Sequence, residues 1–379
     1  MTAQGVRVHI AGSAASSADR SLLEATHALV GTLTELLIKQ GAGLVLGVGH
    51  EPLSEAGVPC TFDWTILEAI SSMADPAPAW PGDETGRFWV VASQRAMERI
   101  PDSRRAVWDS CTRRRDFELS LTAPGWRMGG VIRATQVLRG DVLVIVGGGA
   151  GVEQLAQLYV DEGKPVIPIR CDLGAFSDDG NGGASYLHSR ALGAPGTFFD
   201  LREGAGSATA RLESLRVARA SDSANVAEAL MSLVSDLKPP RAFYVRLLDP
   251  ESEDFDLVEA FFRNVVDPVM IERGYTPHEV GRDRPLAAFM NVEIFEGLHT
   301  AALVVADLTG VRPNCTMELG YALARRRRVI VSAMQGTRLP FDPDKLPTHF
   351  WSGDEANAKE RGTFRAWLDG HLNMPPLVS

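Results

Sequence analysis

The chain has 379 residues, 45% of them hydrophobic, with a formal net charge of −10 and four cysteines. That length exceeds what one average core serves and suits two domains, and the acidic balance excludes a nucleic-acid partner, because affinity for polyphosphate comes from clustered Lys and Arg. No eighteen residues run apolar, the N-terminus has no leader pattern, and Cys60, Cys111, Cys171 and Cys315 lie far apart. The expectation is therefore a soluble, cytosolic protein with reduced thiols, no membrane contact, no metal and no cofactor.

Val6 to Ala11 reads as a first strand that ends at Gly12 and Ser13, and Leu22 to Lys39 has helical periodicity closed by Gly41. Leu44 to Leu46 gives a second strand before Gly47 and Gly49, Phe88 to Ala92 a third, Asp141 to Val146 a fourth and Pro165 to Ile169 a fifth. The fourth runs directly into Gly147, Gly148, Gly149, Ala150, Gly151, Val152 and Glu153, after which Gln154 to Glu162 is helix-like. Glycines between a strand and a helix let backbone N–H groups close on an anion, and phosphate is the natural guest. Ser177 to Ser185, rich in Gly and Asp, reads as a surface loop. His9, His27 and His50 are widely separated and read as core or surface residues, and the basic runs Arg113 to Arg115 and Arg325 to Arg328 as solvated helix ends.

Residues Gly204 to Ala224 are rich in Gly, Ala, Ser and Arg, a helix-like Asn225 to Leu237 follows, and Lys238-Pro239-Pro240 stops it before a new strand, Ala242 to Leu247. The join falls there, giving domains 1–238 and 239–379. Both alternate strands with helices, so the predicted class is α/β with two tandem parallel-sheet domains, Rossmann-like and then flavodoxin-like.

In the second domain Ala302 to Ala306 is apolar without alternation, as in a strand covered on both faces, and stops at Asp307. A loop with the breakers Gly310 and Pro313 leads into a helix expected to carry Glu318 in its first turn, where the positive dipole end favours an ionised carboxylate. Ligands of open α/β sheets bind beyond the carboxyl ends of strands, and an ionised, positioned glutamate there can act as a nucleophile. Tyr244, Arg246 and Asp249 leave a strand expected beside the one bearing Asp307, and are candidates to touch substrate.

The frame Asp307-Leu308-Thr309-Gly310, Pro313-Asn314 and Glu318-Leu319-Gly320 resembles the nucleoside 2-deoxyribosyltransferase-like group, a relative of TIR domains. The resemblance implies that Glu318 attacks C1′ of a ribose-type sugar, with Asp307 and Asn314 lining the site. Arg312 stands where that group usually has Asn, and would either pair with a substrate phosphate or compete for Glu318. The first domain, with Gly12-Ser13 after its first strand, Gly147 to Gly151 after its fourth and Arg133 on the preceding helix, resembles the SLOG superfamily of nucleotide sensors and phosphoribohydrolases. It departs from the hydrolase pattern at Gly147 and Val152, and Glu153 comes too early for the catalytic acid, which favours binding over catalysis in this half.

Together the resemblances imply a homo-oligomeric effector of antiphage type. A nucleotide signal, cyclic or derived from ADP-ribose, would bind at Gly12, Ser13, Arg133, Gly147, Gly148, Gly149, Gly151 and Glu153. It would gate cleavage of the N-glycosidic bond of a nucleotide substrate such as NAD at Glu318 and Asp307, helped by Tyr244, Arg246, Asp249, Arg312 and Asn314. Two alternatives stay open: a constitutive salvage hydrolase or transferase, and a binding protein in which Arg312 has silenced Glu318.

Overall fold

The computed structural model describes residues 3, 5–73, 86–122, 129–174, 183–278, 290–339, 346–353 and 358–372, and divides into two compact units, 1–238 and 239–379. The division falls at the Lys238-Pro239-Pro240 break.

The first unit carries a six-stranded sheet in the order β4-β3-β2-β1-β5-β6, formed by Arg7–Ser13 (β1), Gly43–Leu46 (β2), Phe88–Ser93 (β3), Phe117–Thr122 (β4), Val142–Gly147 (β5) and Val166–Ile169 (β6). Every pairing among them is parallel. The central strands β2 and β5 are buried along their whole length, as their unbroken apolar runs require. The chain builds outward from β1 to β4 and then returns to lay β5 against the other side of β1. That reversal opens a crevice between the carboxyl ends of β1 and β5.

The helix Arg20–Lys39 has the length and apolar composition to cross a bilayer, but it buries Leu23, Leu29, Val30, Leu33 and Leu37 in the first core and packs against the helix Ser223–Asp236. Asp19 caps its start, accepting from the Leu22 N–H at 2.9 Å.

One strand of the first unit escapes the sequence reading. Phe117–Thr122 lies at the sheet edge and mixes buried with exposed positions, so it offers no continuous apolar run, and Asp141 to Val146 becomes the fifth strand, not the fourth.

The second unit has a five-stranded parallel sheet ordered β11-β10-β9-β7-β8, from Arg241–Val245 (β7), Thr276–His278 (β8), Leu303–Asp307 (β9), Val329–Met334 (β10) and Thr348–Trp351 (β11). Numbered within the unit this is 2-1-3-4-5, the flavodoxin order. Separate hydrophobic clusters cover its two faces, one around Tyr244, Phe261 and Trp351 and the other around Phe243, Val304 and Leu319. The reversal falls between β7 and β9, so the segments after Val245 and after Asp307 leave the sheet side by side.

Candidate functional site

Each unit holds a candidate site at its reversal point. In the first, β1 ends with Ser13 registered against Gly147 of β5, and the Gly148 N–H donates to the Ser13 carbonyl at 2.7 Å. The approach is close enough to demand glycine. A Cβ on Gly12 would lie 1.7 Å from the Val146 carbonyl oxygen, and one on Gly147, whose φ is +66°, would lie 2.3 Å from that of Ser13. Gly149 then opens the helix Ala150–Asp161 with no side-chain cap.

Arg133, on the helix Gly129–Arg139, comes to this helix start: its Nη1 lies 3.5 Å from where a Cβ on Gly151 would stand. Its Nε is buried and makes no hydrogen bond among the described residues, and burial pushes its pKa down. A guanidinium and the positive end of a helix repel each other, so bringing them together without a counter-ion leaves a place for an anion. Glu153 is occupied differently from the expectation. Its carboxylate accepts the Gly183 N–H at 2.9 Å and so ties down the start of the helix Gly183–Gly193. The Ser177 to Ser185 loop lies mostly outside the described residues.

The structure adds three residues to this crevice that no motif announced. Thr61 bridges the backbone of Ser13, and its buried hydroxyl has no partner among the described residues. Asp63 heads the helix Asp63–Ser71, accepts the Gly47 N–H, and is pushed up to about 6 by burial. Gln136, only 7% exposed, sits one helical turn beyond Arg133.

In the second unit Asp307 is wholly buried and accepts from three donors: the Thr309 N–H at 3.0 Å, the Ser332 hydroxyl at 2.8 Å and the Trp351 indole at 2.8 Å. Burial raises its pKa in spite of these donors. It thus fastens the ends of β9, β10 and β11 together, and its oxygens are taken up inside the unit. Thr309 extends the tie by accepting the Met334 N–H at 2.9 Å. Just after Thr309 the loop turns through Gly310 at φ +72° and Val311 at φ +45°, the latter a left-handed conformation that a β-branched residue seldom adopts.

Glu318 is not in the first turn. The helix begins at Pro313, whose missing N–H costs nothing at that position, so Glu318 falls in the second turn, half-buried, beyond the reach of the N-terminal dipole. Desolvation pushes its pKa up to about 7. Arg312 does not compete for it: the Arg312 guanidinium donates to Asp249 at 3.0 Å. Asn314 is exposed beside this pair.

Of the remaining candidates, Tyr244 faces the core, edge-on to Phe262, and Arg246 is buried against Phe262 with an ion pair to Glu259 at 2.6 Å. Cys315 is buried and pushed up to about 12, an inert thiol. Arg327 corrects the solvated reading of the second basic run, being buried and donating to the His299 carbonyl. His9, pushed down to about 3 by burial, is a neutral core residue bonded to Tyr159.

Comparison with known proteins bears on the first unit. The family described as "ATP nucleosidase Cap17-like, N-terminal" matches residues 3–234. Two curated proteins named ATP nucleosidase Cap17, from Escherichia coli strain KTE188 and from Escherichia coli, are each 30% identical over 194 residues, which is 51% of this chain and 37% of theirs. The chain thus spans well under two thirds of the curated relatives it matches, and the second unit lies beyond the family match.

Proposed function

The chain belongs to the Cap17-like ATP nucleosidase N-terminal family, and from that membership we propose a nucleotide-cleaving effector of the N-glycosidase type. Its first unit binds an adenine nucleotide through its phosphates, at Gly12, Ser13, Gly147 to Gly151 and Arg133. Its second unit breaks an N-glycosidic bond at Glu318. ATP enters as ligand and substrate because the relatives are named for it; NAD is the other candidate, by the resemblance of the Asp307 to Gly320 frame.

The observation that carries the reading is Arg133, a half-buried guanidinium at a helix N-terminus whose buried Nε has no partner among the described residues. Phosphate supplies the missing charge, and the glycines supply the close backbone approach.

For the cleavage step, ionised Glu318 attacks C1′ as the bond to the base breaks, and the bonding pair leaves with the base through an oxocarbenium-like state. Water then attacks C1′, releases the sugar phosphate and restores the carboxylate. A pKa of about 7 leaves both the ionised and the protonated form populated at neutral pH. The Arg312–Asp249 pair favours this over a silenced site, since it draws Arg312 away from Glu318. The first unit acts as the gate, working through self-association of protomers, and the defence role follows from the pairing of a sensor-like with a glycosidase-like domain.

Base release from ATP, NAD and AMP, resolved chromatographically for the wild type, Glu318→Gln and Arg133→Ala, tests the reading. Loss in both variants is expected. Full activity in Glu318→Gln would remove the second unit as the site of chemistry, and full activity in Arg133→Ala would remove the first as the gate.

A further inference from the structure

We propose that Asp63 and Gln136 bind the ribose hydroxyls of the nucleotide whose phosphates lie at Gly147 to Gly151 and Arg133, so that the first unit selects ribonucleotides over 2′-deoxyribonucleotides. The inference rests on the nucleotide reading of that unit and assigns it a sugar subsite.

The two side chains meet over Gly47, just past the end of β2. A Cβ at Gly47 would stand 3.7 Å from Asp63 Oδ1 and 3.8 Å from Gln136 Nε2, so the absent side chain leaves open the spot on which both converge. Gln136 is 7% exposed, and its amide nitrogen is aimed at the space above Gly47. An amide at a nearly closed position, turned toward an open spot, is placed to exchange hydrogen bonds with a ligand there. Asp63 has one contact, the Gly47 N–H, and no cation among the described residues.

Two connections tie this spot to the phosphate cradle. Gln136 and Arg133 are three residues apart on one helix face, so a ligand touching one is in reach of the other. Thr61, two residues before Asp63, joins Ser13 through a backbone bridge and has a buried hydroxyl without a partner among the described residues, while the Ser13 carbonyl accepts from the Gly148 N–H. Gly47 and Gly147 end strands on either side of β1, two strand spacings or about 10 Å apart, a gap suited to a nucleoside with its first phosphates.

The chemistry selects the sugar. A carboxylate beside an anion site repels phosphate, so the part of the ligand above Gly47 is neutral and donates hydrogen bonds. A vicinal diol does this, one hydroxyl donating to Asp63 and the other exchanging with the Gln136 amide. The carboxyl's lift to about 6 fits a group with no cation of its own.

Titration calorimetry on the full-length chain bearing Glu318→Gln, to prevent turnover, would use ATP, 2′-deoxy-ATP and tripolyphosphate. ATP should bind about tenfold or more tightly than 2′-deoxy-ATP, the scale of one lost hydrogen bond to a charged group. Asp63→Asn and Gln136→Leu should each collapse that ratio and leave tripolyphosphate affinity unchanged. Equal affinities for ATP and 2′-deoxy-ATP in the Glu318→Gln parent, or a ratio that survives both substitutions, overturns the sugar subsite while the phosphate site stands. Failure of ATP and tripolyphosphate alike to bind overturns the nucleotide reading and the subsite with it.

Discussion

Arg312 donates to Asp249 with Nη2 3.0 Å from Oδ2, and among the described residues it makes no ion pair with Glu318. The two partners leave the sheet from neighbouring strands, Asp249 after β7 and Arg312 after β9. The pair is half-exposed on both sides, so its contribution to stability is small, under about 1 kcal/mol. Arg312→Ala should leave the melting temperature nearly unchanged and raise KM for a phosphorylated substrate several-fold at similar kcat. A fall in kcat alone would instead tie Arg312 to the chemical step.

Glu318 sets a pH dependence whose sign can be worked out. Its folded pKa of about 7 stands above the ordinary 4.5, so the folded state holds the proton more tightly. Its contribution is neutral below the unfolded value, becomes a growing cost as pH rises from 4.5 to about 7, and stays constant above that, where both states are ionised. Glu318→Gln should therefore raise the melting temperature at pH 8 and leave it unchanged near pH 4. Turnover that needs the ionised form should rise with pH, with a midpoint near 7; a profile falling over that range would make Glu318 an acid, not a nucleophile.

Asp307→Asn removes one acceptor from a site where three donors converge, leaving a buried indole or hydroxyl proton unmatched. The expected cost is about 1–3 kcal/mol, seen as a lower urea midpoint for the second unit. Trp351, which stacks on Phe261 at 4.4 Å between ring centroids, is a fluorescence reporter of that transition.

Gly12→Ala should cost on the order of 4 kcal/mol or prevent folding of the first unit, because its Cβ would lie 1.7 Å from a carbonyl oxygen on a central strand. Gly57→Ala is the control: φ there is +77° with nothing within 4 Å, so only the left-handed penalty of about 1–2 kcal/mol applies. Similar losses in both, measured by thermal melting, would contradict the close approach of β1 and β5 at their carboxyl ends.

The sequence made legible what depends on local pattern. Unbroken apolar runs marked β2, β5 and β9, the Lys238-Pro239-Pro240 break marked the division, and the glycines after β5 marked the crevice. What it hid depends on contact between distant segments. Asp63, Thr61 and Gln136 carry no motif, and only the return of the chain to β1 brings them together. The edge strand β4 was hidden by its mixed polarity, and the position of Glu318 within its helix by a proline that begins the helix instead of preceding it.

Val311 holds a torsion that its own side chain resists, at a cost of about 1 kcal/mol or more. It keeps that torsion in a loop that Thr309, fixed to Met334 and Asp307, holds at the ends of β9 and β10. The loop behaves as a loaded spring with its catch on β10 and β11, strands that lend no side chain to the proposed chemistry. Damage to Ser332 or Trp351 would release the catch, let Val311 relax and carry the Glu318 helix with it, so lesions that read as packing defects would register first as lost turnover.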